Sequence, residues 1–273
     1  MRYGFVLPFV EARAAADLAR EAEEAGWDGV FVADTVWGID PWVSLAAAAM
    51  TTERIRLGTM LTPVSRRRPW KLASETATLD NLSGGRLILA VGLGAPDTGF
   101  AEFGEETDRR TRAELLDEGL DVLMGLWSGQ PFGYGGKHYT LAPTQFLPPP
   151  PPLQRPRIPV WVVGAWYRGR SVRRALRYDG LLPNVLDDAG NMSSLTPEKV
   201  REMRAHANEQ KPGEPFDIVV EGKTPGDEPE RAAGEVRPFA DAGATWWLES
   251  MWEEPNGPEN LRERIRGGPP ATR

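Results

Sequence analysis

Cysteine is absent from the chain, and histidine occurs only as His138 and His206. A thiolate nucleophile or thiolate metal site is therefore excluded, and a histidine-rich metal centre is not available, so no metal is expected. What remains for chemistry is carboxylates, hydroxyls, arginines and glycine-rich turns. The strongest local pattern is Gly164, Ala165, Trp166, Tyr167, Arg168, Gly169, Arg170, Ser171. A glycine turn, two arginines and a serine at the start of a helix offer backbone N–H groups, a hydroxyl and positive charge, which together suit a phosphate. The same residues also describe a capped, solvated helix start. On either side of Leu93, Gly92 and Gly94 lack side chains, which would let a flat ring lie close to the backbone. Two acids stand where proton transfer would need them. Asp34, near Trp37, is read either as a functional carboxylate or as the cap of the loop that follows; Glu249 is read either as a proton-transfer group or as a structural one. His138, close to Tyr134 and Tyr139, is placed to reach a pocket, whereas His206 lies on a polar helix face. Lys223 is the one lysine near a strand end that Schiff-base chemistry would use, and it reads more simply as a solvated loop residue.

The elements that must position these groups are short apolar runs, several of them followed by a candidate residue. The runs are Tyr3 to Leu7, Gly29 to Ala33, Ile55 to Leu61, Leu87 to Gly92, Ile158 to Val163, Gly180 to Asn184, Phe216 to Glu221 and Thr245 to Glu249. Their interiors are almost continuously apolar, as expected of parallel strands covered on both faces. Helical periods separate them: Ala15, Leu18, Ala19, Ala22 and Ala25 form one stripe that stops at Gly26. Pro69 opens another helix, ending at Gly84 and Gly85, and Thr196 caps a third. Eight strands alternating with helices predict an α/β fold, a single (β/α)8 TIM barrel spanning residues 1–273 as one domain. Such barrels place their working groups at the C-terminal ends of the strands. One stretch breaks the rhythm, residues 128–157, rich in Gly and Pro and including Pro148 to Pro152. With four strands before it and four after, it is expected to be an insertion crossing the surface between the fourth and fifth strands.

The formal charge of -7 and a pI near 5.1 argue against a nucleic-acid or anionic-membrane partner. The N-terminal MRYGFVLPFVEAR passes at once from apolar to charged residues and reads as a strand, which with the lack of cysteine fits a cytoplasmic setting. Ten tryptophans is a high count; ordinary packing accounts for most of them, and some are expected to line a cavity. Trp37, Trp166, Tyr167 and Trp252 are expected to wall an apolar substrate pocket, covered by the insertion that carries His138.

The segments AEEAGWDGVFVAD, RIRLGTMLTPVSRRRPWKLASETATLDNLSGGRLILAVGLG and AGATWWLES, in that order, resemble the luciferase-like monooxygenase family of flavin- and F420-dependent oxidoreductases. The likeness extends to the closing LRERIRGGPP. It implies a β/α barrel that binds FMN or F420 at the C-terminal mouth, in a monooxygenase or hydride-transfer reaction on a small organic substrate, and it implies a homodimer. The GTMLTP segment matches the family strand whose end holds a non-proline cis peptide behind the ring, here near Thr59 and Met60. VGLGA, with Gly92, Leu93 and Gly94, matches the stretch alongside the ring. GAWYRGRS, from Gly164 and Ala165 to Ser171, matches the loop and helix start that take the cofactor phosphate. Asp34 matches the acid of an Asp-His pair found in many F420-using members, but Thr35 stands where the histidine would be. Ala95 and Pro96 replace the glutamate that often follows the fourth strand. The residues do not separate FMN from F420; the longer acidic tail of F420 would meet Arg66, Arg67 and Arg68, unless these form a solvated loop. The alternative is a non-redox barrel that binds a phosphorylated small molecule.

Overall fold

In a computed structural model, which describes residues 1–145, 150–187, 192–252 and 257–270, the eight apolar runs all become parallel strands. The chain runs β1 (Arg2–Leu7), α1 (Ala12–Glu24), β2 (Gly29–Val32), α2 (Pro41–Thr51), β3 (Arg56–Thr59), β4 (Thr62–Pro63), α3 (Pro69–Leu82), β5 (Leu87–Gly92) and α4 (Arg109–Ser128). It continues through β6 (Phe132–Gly135), β7 (Thr140–Thr144), β8 (Val160–Ala165), α5 (Gly169–Leu176), β9 (Gly180–Leu186), β10 (Met192–Ser193), α6 (Pro197–Gln210), β11 (Asp217–Gly222), α7 (Pro229–Asp241), β12 (Trp246–Glu249) and α8 (Pro258–Arg266). The parallel circuit is β1, β2, β3, β5, β8, β9, β11, β12. It closes where Arg2 to Phe5 pair with Trp246 to Glu249. The run expected from Ile55 to Leu61 is interrupted: the ladder with β2 ends at Thr59, and Thr62 and Pro63 then pair with Val91 and Gly92 of β5.

Alternation along each strand sends every second side chain inward. The inward set fills the barrel with Val6, Phe31, Ile88, Ala90, Trp161, Leu182, Val219, Trp246 and Leu248. Three rings form its centre, with Phe31 stacked on Trp161 at 5.4 Å and Trp161 edge-on to Trp246 at 5.1 Å. Glycine at positions 29 and 58 makes room for them, since a Cβ at either would lie within 2.9 Å of the Phe31 ring. The outward set packs beneath the helices; the α1 stripe Ala15, Leu18, Ala19 and Ala22 is buried there, as its period predicts. Asp40 caps α2 by accepting the N–H groups of Trp42 and Val43.

Two polar anchors hold the outer layer. Glu249, fully buried and one residue out of phase with inward-facing Leu248, points into the helix layer. There it accepts hydrogen bonds from Thr224 N–H at 2.6 Å, Thr224 Oγ1 at 2.8 Å and Trp247 Nε1 at 3.1 Å, and pairs with Arg264 of α8 at 3.3 Å. The second anchor is Asp80, also fully buried, which accepts the N–H groups of Leu153 and Gln154 and fixes where the insertion rejoins the barrel.

The insertion holds more regular structure than its Gly and Pro content suggests, because β6 and β7 form an antiparallel hairpin. Its tip is held by carboxylates one turn apart on α4. Glu118 accepts the N–H groups of Lys137, His138 and Tyr139 at 2.8, 2.9 and 3.0 Å. Glu114 meets Lys137 Nζ at 2.6 Å and His138 Nε2 at 3.0 Å. Hydrogen bonds from Lys137 and then His138 hold the Glu114 carboxyl down to about 2. Burial raises the Glu118 pKa, but the three backbone donors outweigh it and the net shift is downward. Pro148 and Pro149 of the expected proline run lie outside the described residues.

Truncating Glu249 to alanine strands a buried guanidinium, so it is expected to lower stability by about 3–5 kcal/mol in urea unfolding, with most of the loss recovered when Arg264 is also replaced by methionine. Both hairpin carboxylates have depressed folded-state pKa values, so their stabilisation is present above the ordinary carboxylate range and lost as pH falls through the folded value. The amide NMR shifts of residues 137–139, which donate to Glu118, should therefore hold as pH falls from neutral through the ordinary carboxylate value of 4.5 and move only below it.

Candidate active site

At the C-terminal end of the barrel the packed interior stops short of the rim. Met60, Leu61 and Val163 lie against the inner cluster while keeping part of their surface open, and so form an apolar floor. A non-proline cis peptide joins Met60 to Leu61, one bond beyond the expected position near Thr59 and Met60. Gly92 leaves space for this floor, because a Cβ there would stand 3.0 Å from Leu61 and 3.2 Å from Val163. Thr59 itself is buried, its hydroxyl bonded to that of Thr62 at 2.8 Å. The carbonyls of Leu93 and Gly94 are fixed by Arg112 Nη1 at 2.9 and 3.2 Å. Arg112, buried on α4 with its guanidinium over the Phe100 ring, was not singled out from the sequence, because nothing local links it to residues eighteen positions away.

The same alternation carries two exposed polar residues to the inner rim, Asn184 on β9 and Glu221 on β11. Glu221 is two residues beyond inward-facing Val219, and it accepts a hydrogen bond from Trp252 Nε1. That contact places Trp252 at the mouth. The sequence carried the signal for Glu221, since residues two apart on a strand share a face, but it was read only as the strand's last residue.

Beside the floor, the Gly164 to Ser171 segment turns from β8 into α5. Gly164 is required by packing, as a Cβ would approach Leu181 to 2.5 Å. Ala165 N–H donates to Ser171 Oγ at 3.0 Å, and Trp166 N–H donates to the Asn184 carbonyl at 2.8 Å. Tyr167 adopts a φ of 68° and donates its hydroxyl to Glu202 at 2.5 Å, which raises its pKa. The N–H groups of Ser171 and Val172 bond to the Arg168 carbonyl, leaving those of Gly169 and Arg170 with no acceptor among the described residues. These N–H groups, the helix dipole and the exposed Arg168 and Arg170 border an open cleft that also reaches Leu93. The arrangement fits an anionic phosphate, and the apolar floor next to it fits a flat ring.

The other candidates lie elsewhere. Asp34 has a side chain only 1% exposed and is bound by two guanidiniums, by Arg66 at 2.9 Å and by both Nε and Nη2 of Arg67 at 3.0 to 3.2 Å. Both carboxylate oxygens are engaged, so Asp34 clamps the segment after β4 onto the end of β2. Arg66 and Arg67 are consequently neither a solvated loop nor free for an acidic tail; Arg68 stays exposed beside Trp70. Glu249 faces the helices and His138 lies on the flank of α4, so neither is brought to the rim. Trp37 is 83% exposed and stacks on Phe103 at 6.3 Å, while Tyr167 is 66% exposed.

Among the described residues no group of three or more His, Cys, Asp or Glu side chains could hold a metal ion, and no helix is long and apolar enough to cross a membrane. The family model described as luciferase-like monooxygenase matches residues 1–268. An F420-dependent glucose-6-phosphate dehydrogenase of Amycolatopsis mediterranei is 33% identical over 170 residues, which cover 57% of this chain and 50% of that protein. A protein of the same description from Nakamurella multipartita is 36% identical over 135 residues, covering 45% of this chain and 39% of that one. The chain thus spans about half or less of the length of the curated relatives it matches. An F420-dependent secondary alcohol dehydrogenase, solved in complex with an F420-acetone adduct, superposes with a TM-score of 0.76 at 17% identity, covering 100% of this chain and 99% of that one. A monooxygenase from Streptomyces bottropensis gives 0.76 at 21% identity over 97% of each chain. These two likenesses are of fold. With its family model matched from the first strand to the end of the last helix, the chain belongs to the luciferase-like monooxygenase family.

Proposed function

We propose that this chain is an oxidoreductase that holds F420 or FMN across the barrel mouth and acts on a small organic substrate. One observation carries the reading: an anion-binding helix start and an apolar floor stand side by side at the same end of the barrel. Met60, Leu61, Val163 and the Gly92 to Gly94 backbone would support the ring, and Gly169 to Ser171 would hold the phosphate. Bound there, either cofactor supplies two-electron chemistry. The protein's part is to orient and to exclude water, and the filled interior beneath the floor keeps solvent from one face of the ring. Glu221 is the carboxylate placed to hold or move a proton, and Trp252 orients it.

Binding a phosphorylated small molecule without redox chemistry is the second reading, favoured by the engagement of Asp34 with Arg66 and Arg67. Fluorescence titration of the purified protein with F420 and with FMN separates the two: saturable binding of either cofactor supports the first, and binding of phosphate esters with neither cofactor rejects it. Replacing Ser171 with alanine removes the hydroxyl that organises the turn; the loss of about 1 kcal/mol should weaken cofactor binding roughly fivefold in the same titration.

A further inference from the structure

The cleft at the start of α5 is much larger than a phosphate requires. It has a volume of about 1180 Å³ and continues from Leu93 and Gly169 along the groove between α4 and α5 to Arg177 and Lys211. In a chain of formal charge -7, its wall carries eight basic side chains against three acidic ones. Some are already neutralised: Arg110 pairs with Glu114, Arg174 with Asp117, Arg177 with Asp121 and Lys211 with Glu214. Arg109, Arg168, Arg170 and Arg173 meet no carboxylate within ion-pair distance among the described residues. All four are exposed. Guanidiniums gathered around one cleft repel each other, and an anion between them relieves that repulsion. The eight residues of α5 make the groove about 12 Å long, room for three to four residue lengths of extended chain.

Resting on the cofactor reading above, we propose that this groove takes a run of several anionic groups continuing from the phosphate, and that it thereby selects F420, with its acidic tail, over FMN. The tail that Arg66 and Arg67 cannot meet, being engaged with Asp34, is received by Arg109 of α4 and Arg173 of α5, which both line the groove.

The test is a fluorescence titration with three probes: F420 with its tail intact, the same deazaflavin cut back to the phosphate, and FMN. It is run at about 50 mM and about 500 mM NaCl, on the native protein and on Arg109→Glu, Arg173→Glu and Arg173→Lys. The intact tail should improve affinity about tenfold or more over the cut-back form at low salt, and that advantage should shrink at high salt. Either charge reversal should abolish the advantage without changing binding of the cut-back form, and Arg173→Lys should keep most of it. Circular dichroism melts on each variant verify that the fold is retained, as expected for exposed side chains. Binding of the cut-back form with no gain from the tail, or a gain that survives both reversals, overturns the groove proposal alone. Absence of binding by all three probes overturns the cofactor reading, and the groove proposal with it.

Discussion

Pairing of β12 with β1 closes the sheet, and the rest of the structure depends on that closure. A closed sheet has one inside, and alternation commits half of every strand to it. Phe31, Trp161 and Trp246 occupy most of that space, so the barrel is solid up to the level of Met60, Leu61 and Val163. The interior consequently ends in a partly open apolar floor. A planar ligand can cover such a floor, and its polar attachments must then leave sideways, between the loops. A sideways exit bordered by backbone N–H groups with no acceptor among the described residues is the cleft at the start of α5.

Electrostatics divides the molecule in the same way. The overall charge is negative, yet arginines dominate the groove between α4 and α5. Elsewhere several arginines are consumed in structural pairing. Arg264 is buried against Glu249, Arg66 and Arg67 are drawn onto Asp34, and Arg86 is spent on the backbone carbonyls of Ala49, Thr52 and Ile55. The arginines of the groove that are unpaired among the described residues are clustered where they can steer an anion toward the mouth.

The strands were legible because burial on both faces leaves continuous apolar runs, which local inspection detects. Leu87 to Gly92 is recovered residue for residue, and the other seven shift by one or two positions at most ends. The hairpin was not legible: Phe132 to Gly135 is short and glycine-rich, and it is held by Glu114 and Glu118 on another element. At the mouth, the Gly164 to Ser171 turn could be read from its own residues because its chemistry is local. The fate of Asp34 could not, because its partners lie 32 and 33 residues away and only the folded chain brings them to it. Glu249 and Glu221 show how one residue of phase matters. Both sit at the C-terminal end of a strand, yet one faces the helices and the other the rim, and the side is set by parity with Leu248 and Val219.

The most direct test of the central claim is a crystal structure of the protein soaked with F420 or FMN. A ring lying on Met60, Leu61 and Val163, with its phosphate on the N–H groups of Gly169 and Arg170, is the predicted result. A ring bound away from this floor, or a phosphate held by residues outside the α5 turn, would contradict it.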